Sequence, residues 1–438
     1  MTTTSRAATR ASTSQPSRLA MPAMLLAVFV VPLSIAGTAV TLPHVAATLG
    51  SSPVGLQWVI NGFNAAFAAF TLVWGSLADR IGHKQVFLLG VIVNVLASLG
   101  SALAPTLTIL DISRLVAGAS AAAIATAAPA IVAAVYTGAA KARNFALLGT
   151  TLGVGLAVGP SIAGGITAAA GWRGVFVVSA VVVALSVALA GFIPRVAASP
   201  HPQRRLIEIG LLRDPRFMSV VLVPMVQAFG FIALLTYLPI ALSAVYGLSA
   251  GTTGLVMLAM TGPVLVAPLV GARLVQTRPR VTLHTLATVS ILLMLVGNAG
   301  MILLVAHAPV WALIVPMILL GISFGLPLGI IDGAAQENAP RHLSGAAAGL
   351  LNFLRLGTEA LVVGLYAAST AGVIGLHAAP GLAHRIASGT PGHATIYADA
   401  FLVGQIGILV AVIVGLAVSS NLRRRVNRSV MGADKASG

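Results

Sequence analysis

The chain has 438 residues, of which 58% are hydrophobic and only 8% charged, and its mean hydropathy is +1.00. A soluble globular chain carries roughly 25% Asp, Glu, Lys and Arg, so this one has too little charge to cover a water-facing surface and is too apolar to be disordered. Cysteine is absent, which excludes disulfides, thiolate metal sites and cysteine nucleophiles. A membrane-crossing helix takes about 20 mostly apolar residues, and there is room for many. The composition is that of a polytopic, all-α membrane protein.

Apolar runs of spanning length predict about twelve helices. In the first half they cover 21–43, 56–77, 85–104, 107–134, 145–169 and 175–194. In the second they cover 217–241, 250–273, 281–306, 309–331, 344–369 and 400–421. Breakers separate them, among them Gly50-Ser51-Ser52-Pro53, Ala104-Pro105-Thr106, Gly171-Trp172-Arg173-Gly174 and Ala308-Pro309. Residues 1–20, rich in Ser, Thr, Ala and Arg, read as a disordered tail. The apolar run from Met21 outlasts a signal-peptide core and is taken as an uncleaved first span. Residues 195–216 form the longest connection and divide the spans into bundles 21–194 and 217–421, followed by a basic tail at 422–438.

The net charge of +16 records topology, because no soluble segment is large enough to present a basic face to nucleic acid. Alternate connections hold the cations: Arg6, Arg10 and Arg18; Arg80 and Lys84; Lys141 and Arg143; then Arg195, Arg204, Arg205, Arg213 and Arg216. The series continues with Arg273, Arg278 and Arg280, then Arg341, then Arg423, Arg424, Arg425, Arg428 and Lys435. The positive-inside rule places all of these, and therefore both termini, in the cytoplasm. Features also recur across the midpoint: Gly75 answers Gly271, Pro129 answers Pro327, and Arg143 answers Arg341. Such repeats typify transporters that rock about a midplane site.

Three segments carry a family resemblance. Gly75-Ser76-Leu77-Ala78-Asp79-Arg80-Ile81-Gly82-His83-Lys84, between spans 2 and 3, resembles the signature loop of the major facilitator superfamily, with His83 where a basic residue is usual. Its glycines, Gly75 and Gly82, allow a tight turn, Asp79 suits a helix N-terminus, and Arg80 and Lys84 face anionic lipid. Leu110-Asp111-Ile112-Ser113-Arg114 through Ala117-Gly118 in span 4 resembles the family's second motif, with Ala117 replacing Gln. The resemblance associates Arg114 with proton transfer; the residues alone equally allow a simple pair with Asp111, one turn earlier. Span 5, with Gly153, Gly155, Gly159, Pro160, Gly164 and Gly165, resembles the family's antiporter motif. That resemblance implies a face packing across the two halves and export in exchange for protons, although three residues rather than two separate Pro160 from Gly164. Residues 42–50, 56–61, Trp172-Arg173 and 344–355 are similar to the multidrug drug:proton antiporter branch. One departure stands out: many members have an Asp in span 1 where this chain has Ser34.

Only nine acids exist, and just Asp111 and Glu359 fall well inside spans. Glu359 lies about fifteen residues into span 11, roughly 22 Å along the helix, with Arg355 one turn before it. An intramembrane acid is a functional candidate by default; the competing reading is a static Arg355–Glu359 pair. Asn61, Asn64, Gln227, Asn298 and Asn352 are candidate cavity lining, or else polar glue between helices. No metal, phosphate-binding or nucleophile motif is present, so no cofactor, ATP-driven step or enzyme activity is expected. The partners expected are a small molecule, protons and the lipid bilayer of the plasma membrane, with the chain acting as a monomer. The reading is a twelve-helix exporter of small amphipathic compounds in exchange for protons; the alternatives are an importer, symporter or facilitator of a small metabolite and, more remotely, a non-transporting membrane sensor.

Overall fold

Hydrocarbon offers no water to satisfy peptide groups, so a chain this apolar has to pair its N–H and C=O groups inside helices. A computed structural model describes residues 17–49, 53–196, 210–248, 250–340, 343–387, 389 and 391–437, and among these no strand occurs. Most of the expected N-terminal tail and linker, the turn at Gly50-Ser51-Ser52 and Arg341 of the repeat lie outside the described residues.

The first half contains α1 (Ala20–Leu49), α2 (Pro53–Ile81), α3 (His83–Ala102), α4 (Leu107–Val135) and α5 (Gly138–Ala188). The second contains α6 (Pro215–Tyr246), α7 (Ala250–Thr277), α8 (Leu283–Leu304), α9 (Ile314–Gly325), α10 (Ile330–Glu337), α11 (Ser344–His377) and α12 (Ala394–Ser437). Most of these run past the apolar cores read from sequence, because a helix continues beyond the hydrocarbon boundary. Helix starts are set by local chemistry. Thr106 accepts from Ile109 N at the start of α4, Thr282 accepts from Thr285 N at the start of α8, and Asp214 accepts from Arg216 N ahead of α6.

Ten described helices are long and apolar enough to cross a membrane, or eleven when the two limbs of α1 are taken as one span. The difference from the expected twelve lies in α5. Its 51 residues would reach about 77 Å if straight, far beyond a ~30 Å core. Gly171, with φ 72° and ψ 174°, joins two helices there, at the breaker expected between spans 5 and 6. The limbs of α1, Ala20–Ile35 and Val40–Leu49, meet at 58°. Thr38 Oγ1 donates to the Ser34 carbonyl at 2.6 Å at this bend, a back-bond that loosens the helical ladder. In α6 a π-turn at Ala228–Ile232 interrupts the α-helix. Between α9 and α10 the chain turns at Gly329, where φ is 83°.

One buried cluster is drawn from the first half, including Met24, Phe63, Phe87, Ile124 and Phe145; another comes from the second, including Leu234, Met260, Met294, Met317 and Phe401. The outer faces carry apolar side chains instead of charge: Leu96, Val181, Val266, Val296, Leu361 and Val410 are each more than half exposed. That belt fits lipid, not water, and the protein is a multi-pass membrane protein.

Small residues let helices touch along their backbones, and the two halves use the device in matching places. A Cβ on Gly118 of α4 would overlap the Phe63 carbonyl of α2, and one on Gly321 of α9 would overlap the Met260 carbonyl of α7. We expect Gly118→Ala to destabilise the fold by roughly 1–3 kcal/mol, since the obstacle is backbone and cannot rotate away. Gly165→Ala, facing open space, should leave stability unchanged or slightly raised. Thermal unfolding of the two variants in detergent checks the contrast.

Candidate functional site

The turn from α2 to α3 and the start of α11 form one unit. Gly82 sits at φ 100°, a conformation that only glycine adopts without strain. A Cβ on Gly75 would overlap the Gly345 carbonyl and one on Gly349 the Thr71 carbonyl, so α2 and α11 meet backbone to backbone. Asp79, 2% exposed, is carried into this contact. Its Oδ1 accepts from Gly345 N at 2.9 Å and its Oδ2 from Ala346 N at 3.0 Å. A carboxylate in the first turn of a helix meets unpaired N–H groups and the positive end of the dipole. His83 stands 3.8 Å from Asp79 and within 3.2 Å of the Ser344 hydroxyl. Lys84 Nζ donates to the Ile193 carbonyl at 2.6 Å, while Arg80 is exposed.

Arg114 is 2% exposed and lies among neutral groups. Nε donates to the Val59 carbonyl at 3.0 Å, Nη1 to Ser34 Oγ at 2.7 Å and Nη2 to the Ser34 carbonyl at 3.3 Å. Its guanidinium carbon also lies 4.4 Å from the centre of the Phe63 ring. Arg114 therefore turns away from Asp111, whose buried Oδ1 has no partner, and toward the position where the resembling family has an acid. That Ser34 and Arg114 meet was invisible in sequence, because they are 80 residues apart.

A third cluster surrounds Arg355 on α11. Its guanidinium lies 3.5 Å from Asp332 Oδ1 on α10 and also donates to Asn352 Oδ1. Asn352 in turn donates from Nδ2 to the Ala125 carbonyl of α4 at 3.2 Å, across the two halves. Glu359 is half-buried one turn beyond Arg355, and no hydrogen bond or ion pair reaches it among the described residues. The static Arg355–Glu359 pair is absent here. Asp332, an acid of α10, is the partner that Arg355 takes.

The span-5 glycines divide between two neighbours. A Cβ on Gly155 would overlap Pro32 of α1, one on Gly164 would lie 3.7 Å from Val40, and the Gly159 carbonyl lies 3.5 Å from where a Gly37 Cβ would stand. This face, with Pro160 beside it, packs on α1 inside the first half. Contact with the second half comes earlier, where a Cβ on Gly149 would lie 2.6 Å from the Leu328 carbonyl and one on Gly153 would lie 2.8 Å from Val264. Of the polar candidates, Gln227 donates to Ser290 Oγ at 3.0 Å and the Ser323 carbonyl at 2.9 Å. Asn298 donates to the Met294 carbonyl and accepts from Gln405. Both are at most 1% exposed and serve as glue between helices rather than as cavity wall. Asn61 is exposed and Asn64 half-buried. A small apolar crevice between the halves is lined by Gly153, Leu156, Phe231, Leu235, Val264 and Phe324. Phe231 belongs to the π-turn of α6 and stacks on Phe324 with ring centres 4.2 Å apart.

Two variants probe these clusters. Asp79→Asn retains one acceptor but loses the charge facing the start of α11, a change worth roughly 1–3 kcal/mol; transport should fall severalfold with membrane insertion nearly intact, as flux and surface abundance measured together would show. Ser34→Ala removes an acceptor from a buried guanidinium, at a similar cost of about 1–3 kcal/mol. It should lower the unfolding temperature measurably, whereas Ser34→Thr keeps a hydroxyl and should lower it less.

Comparison with known proteins places this geometry in a family. The model of the Major Facilitator Superfamily matches residues 24–361. The puromycin resistance protein pur8 of Streptomyces alboniger is 27% identical over 380 residues, covering 72% of this chain and 74% of the relative. The cephamycin export protein CmcT of Amycolatopsis lactamdurans is 33% identical over 203 residues, 45% of this chain and 41% of the relative. The methylenomycin A resistance protein of Bacillus subtilis is 35% identical over 133 residues, 30% and 28% of the two chains. With a family model matching most of its length and the α2–α3 turn built as that family's motif suggests, the chain belongs to the major facilitator superfamily of transporters.

Proposed function

We propose that this transporter exports small amphipathic compounds in exchange for protons, with Glu359 as the proton carrier. The observation that carries this reading is the state of Glu359. It is an acid inside a spanning helix with no cation in ion-pair contact among the described residues, while the arginine one turn away is engaged by Asp332 and Asn352. A carboxyl in that situation is best accommodated by binding a proton, because an unpaired charge in hydrocarbon is costly. Export is supported by relatives named for resistance or export.

In this reading the chain has twelve spans, α5 counting as two about Gly171, arranged as bundles 21–194 and 217–421 with both termini in the cytoplasm and the plasma membrane as its site. The close cross-half contacts then fall toward the cytoplasmic side: Gly75 with Gly345, Asp79 with the start of α11, Gly149 with Leu328, and Lys141 with Glu337 at 2.9 Å. The conformation is therefore read as closed to the cytoplasm, the state in which Glu359 would load a proton from the other side.

An imposed pH gradient should drive efflux from vesicles, tested over a panel that begins with puromycin, methylenomycin and a cephamycin, the compounds named in the relatives. Glu359→Gln should abolish proton-driven flux while leaving abundance and substrate binding in place. The isosteric amide cannot titrate, and Arg355 keeps its Asp332 partner. Intact proton-driven flux in that variant would overturn the assignment and move attention to Asp111.

A further inference from the structure

Arg355 has an acid on each side of it. Asp332 is engaged at 3.5 Å; Glu359 lies four residues further along α11, about 6 Å up the helix, and is not. What sets this choice is contact with the other half of the molecule. Asn352, which accepts from Arg355, is tied to the Ala125 carbonyl of α4 at 3.2 Å. The α10 segment carrying Asp332 is pressed on α5: a Cβ on Gly329 would overlap the Phe145 carbonyl, and one on Gly333 would lie 3.0 Å from the Phe145 ring. Both anchors of the guanidinium are thus held by the same surfaces that close the two halves together.

The elements packed on α11 are α2, α4, α6, α10, α12 and the short helix Pro380–Ala387. Their charged and titratable groups are few. From α2 come Asp79, bonded to the start of α11, and Arg80, with His83 just beyond. From α4 come Asp111 and Arg114, the latter turned to Ser34 and Val59. From α6 come Arg216, Tyr246 and Tyr237, the last donating to the Val363 carbonyl at 3.2 Å; from α12 come Tyr397, Asp399 and, at its far end, the charged run from Arg423 to Lys435. Lys141 on α5 is engaged by Glu337 of α10. Arg355 is the cation that shares a helix face with Glu359.

We infer that Asp332 is a positioning residue that holds Arg355 off Glu359 while the halves are closed, and that their parting frees Arg355 to move one turn to Glu359. The inference rests on the reading of Glu359 as proton carrier. Parting the halves breaks the Asn352–Ala125 bond and lifts α10 from α5, and water then competes for Asp332. Arg355 pairs with the Glu359 carboxylate, the carboxyl proton leaves to water on the opened side, and Asp332 is left hydrated. Proton release is in this way tied to the conformational step instead of to chance exchange.

Carbodiimide reacts with protonated carboxyls inside membranes, so its attachment to Glu359, located by peptide mass spectrometry, reads protonation without a known substrate. The full-length protein in lipid nanodiscs would be treated at the pH where half of wild-type Glu359 is modified. Asp332→Asn should cut modification about tenfold, as expected when a cation comes within reach of a carboxylate, and Asp332→Glu should restore it. Asn352→Ala changes no charge yet frees the guanidinium, and should also cut modification severalfold. Arg355→Gln should raise modification, and adding Asp332→Asn to it should have no further effect, since Asp332 acts through Arg355. Unchanged modification in Asp332→Asn and Asn352→Ala, or an Asp332→Asn effect of equal size without Arg355, would overturn the inference and leave Glu359 as carrier. No modification of wild-type Glu359 at any pH would instead overturn the carrier reading itself, and the inference with it.

Discussion

The structure depends on one close approach, where the backbones of α2 and α11 meet at Gly75, Gly345 and Gly349 and Asp79 binds the first free N–H groups of α11. No other residue type could bring these helices together, since any Cβ at Gly75 would overlap a peptide carbonyl. The carboxylate then does what a helix start in a dry place requires: it satisfies donors that water cannot reach. Fixing the start of α11 fixes its register, and Asn352, Arg355 and Glu359 all follow from that register.

The two arginines inside spans show two ways of holding a cation in hydrocarbon. Arg114 is solvated by two backbone carbonyls, a hydroxyl and an aromatic face. Arg355 is neutralised by Asp332 and steadied by an amide. The first arrangement is confined to helices of one half. The second draws on an amide and a helix that both press against the other half, so it is the one that a change in how the halves meet disturbs. In a protein with so few charges, the α10–α11 cluster sets a buried ion pair beside the contact between the halves.

Helix breaks fall beside these clusters and beside the contact between the halves. The π-turn of α6 brings Phe231 against Phe324 beside the crevice between the halves, and π-turns inside helices recur at functional sites. The turn at Gly329 separates α9 from α10, whose Asp332 lies against Arg355 of α11. The bend of α1 at Ser34–Thr38 brings Ser34 to Arg114. The first of these breaks places an aromatic ring, the other two a polar side chain, against a neighbouring helix.

The sequence by itself determined the solvent, the helical class and most helix positions, because each rests on local composition and on a spanning length that lipid imposes. It also singled out Asp79 for a helix start and Ser34 as a departure at an acid position. Tertiary structure alone decided which partners those residues take. Arg114 stands three residues from Asp111 in the chain yet binds Ser34, and Arg355 stands one turn from Glu359 yet binds Asp332. The span-5 glycines, a single stripe in sequence, turn out to serve α1 with one set and the second half with another. Spacing along a helix says which groups share a face; which of two available partners a buried charge takes depends on what neighbouring helices press against it, and that is a property of packing, not of the string.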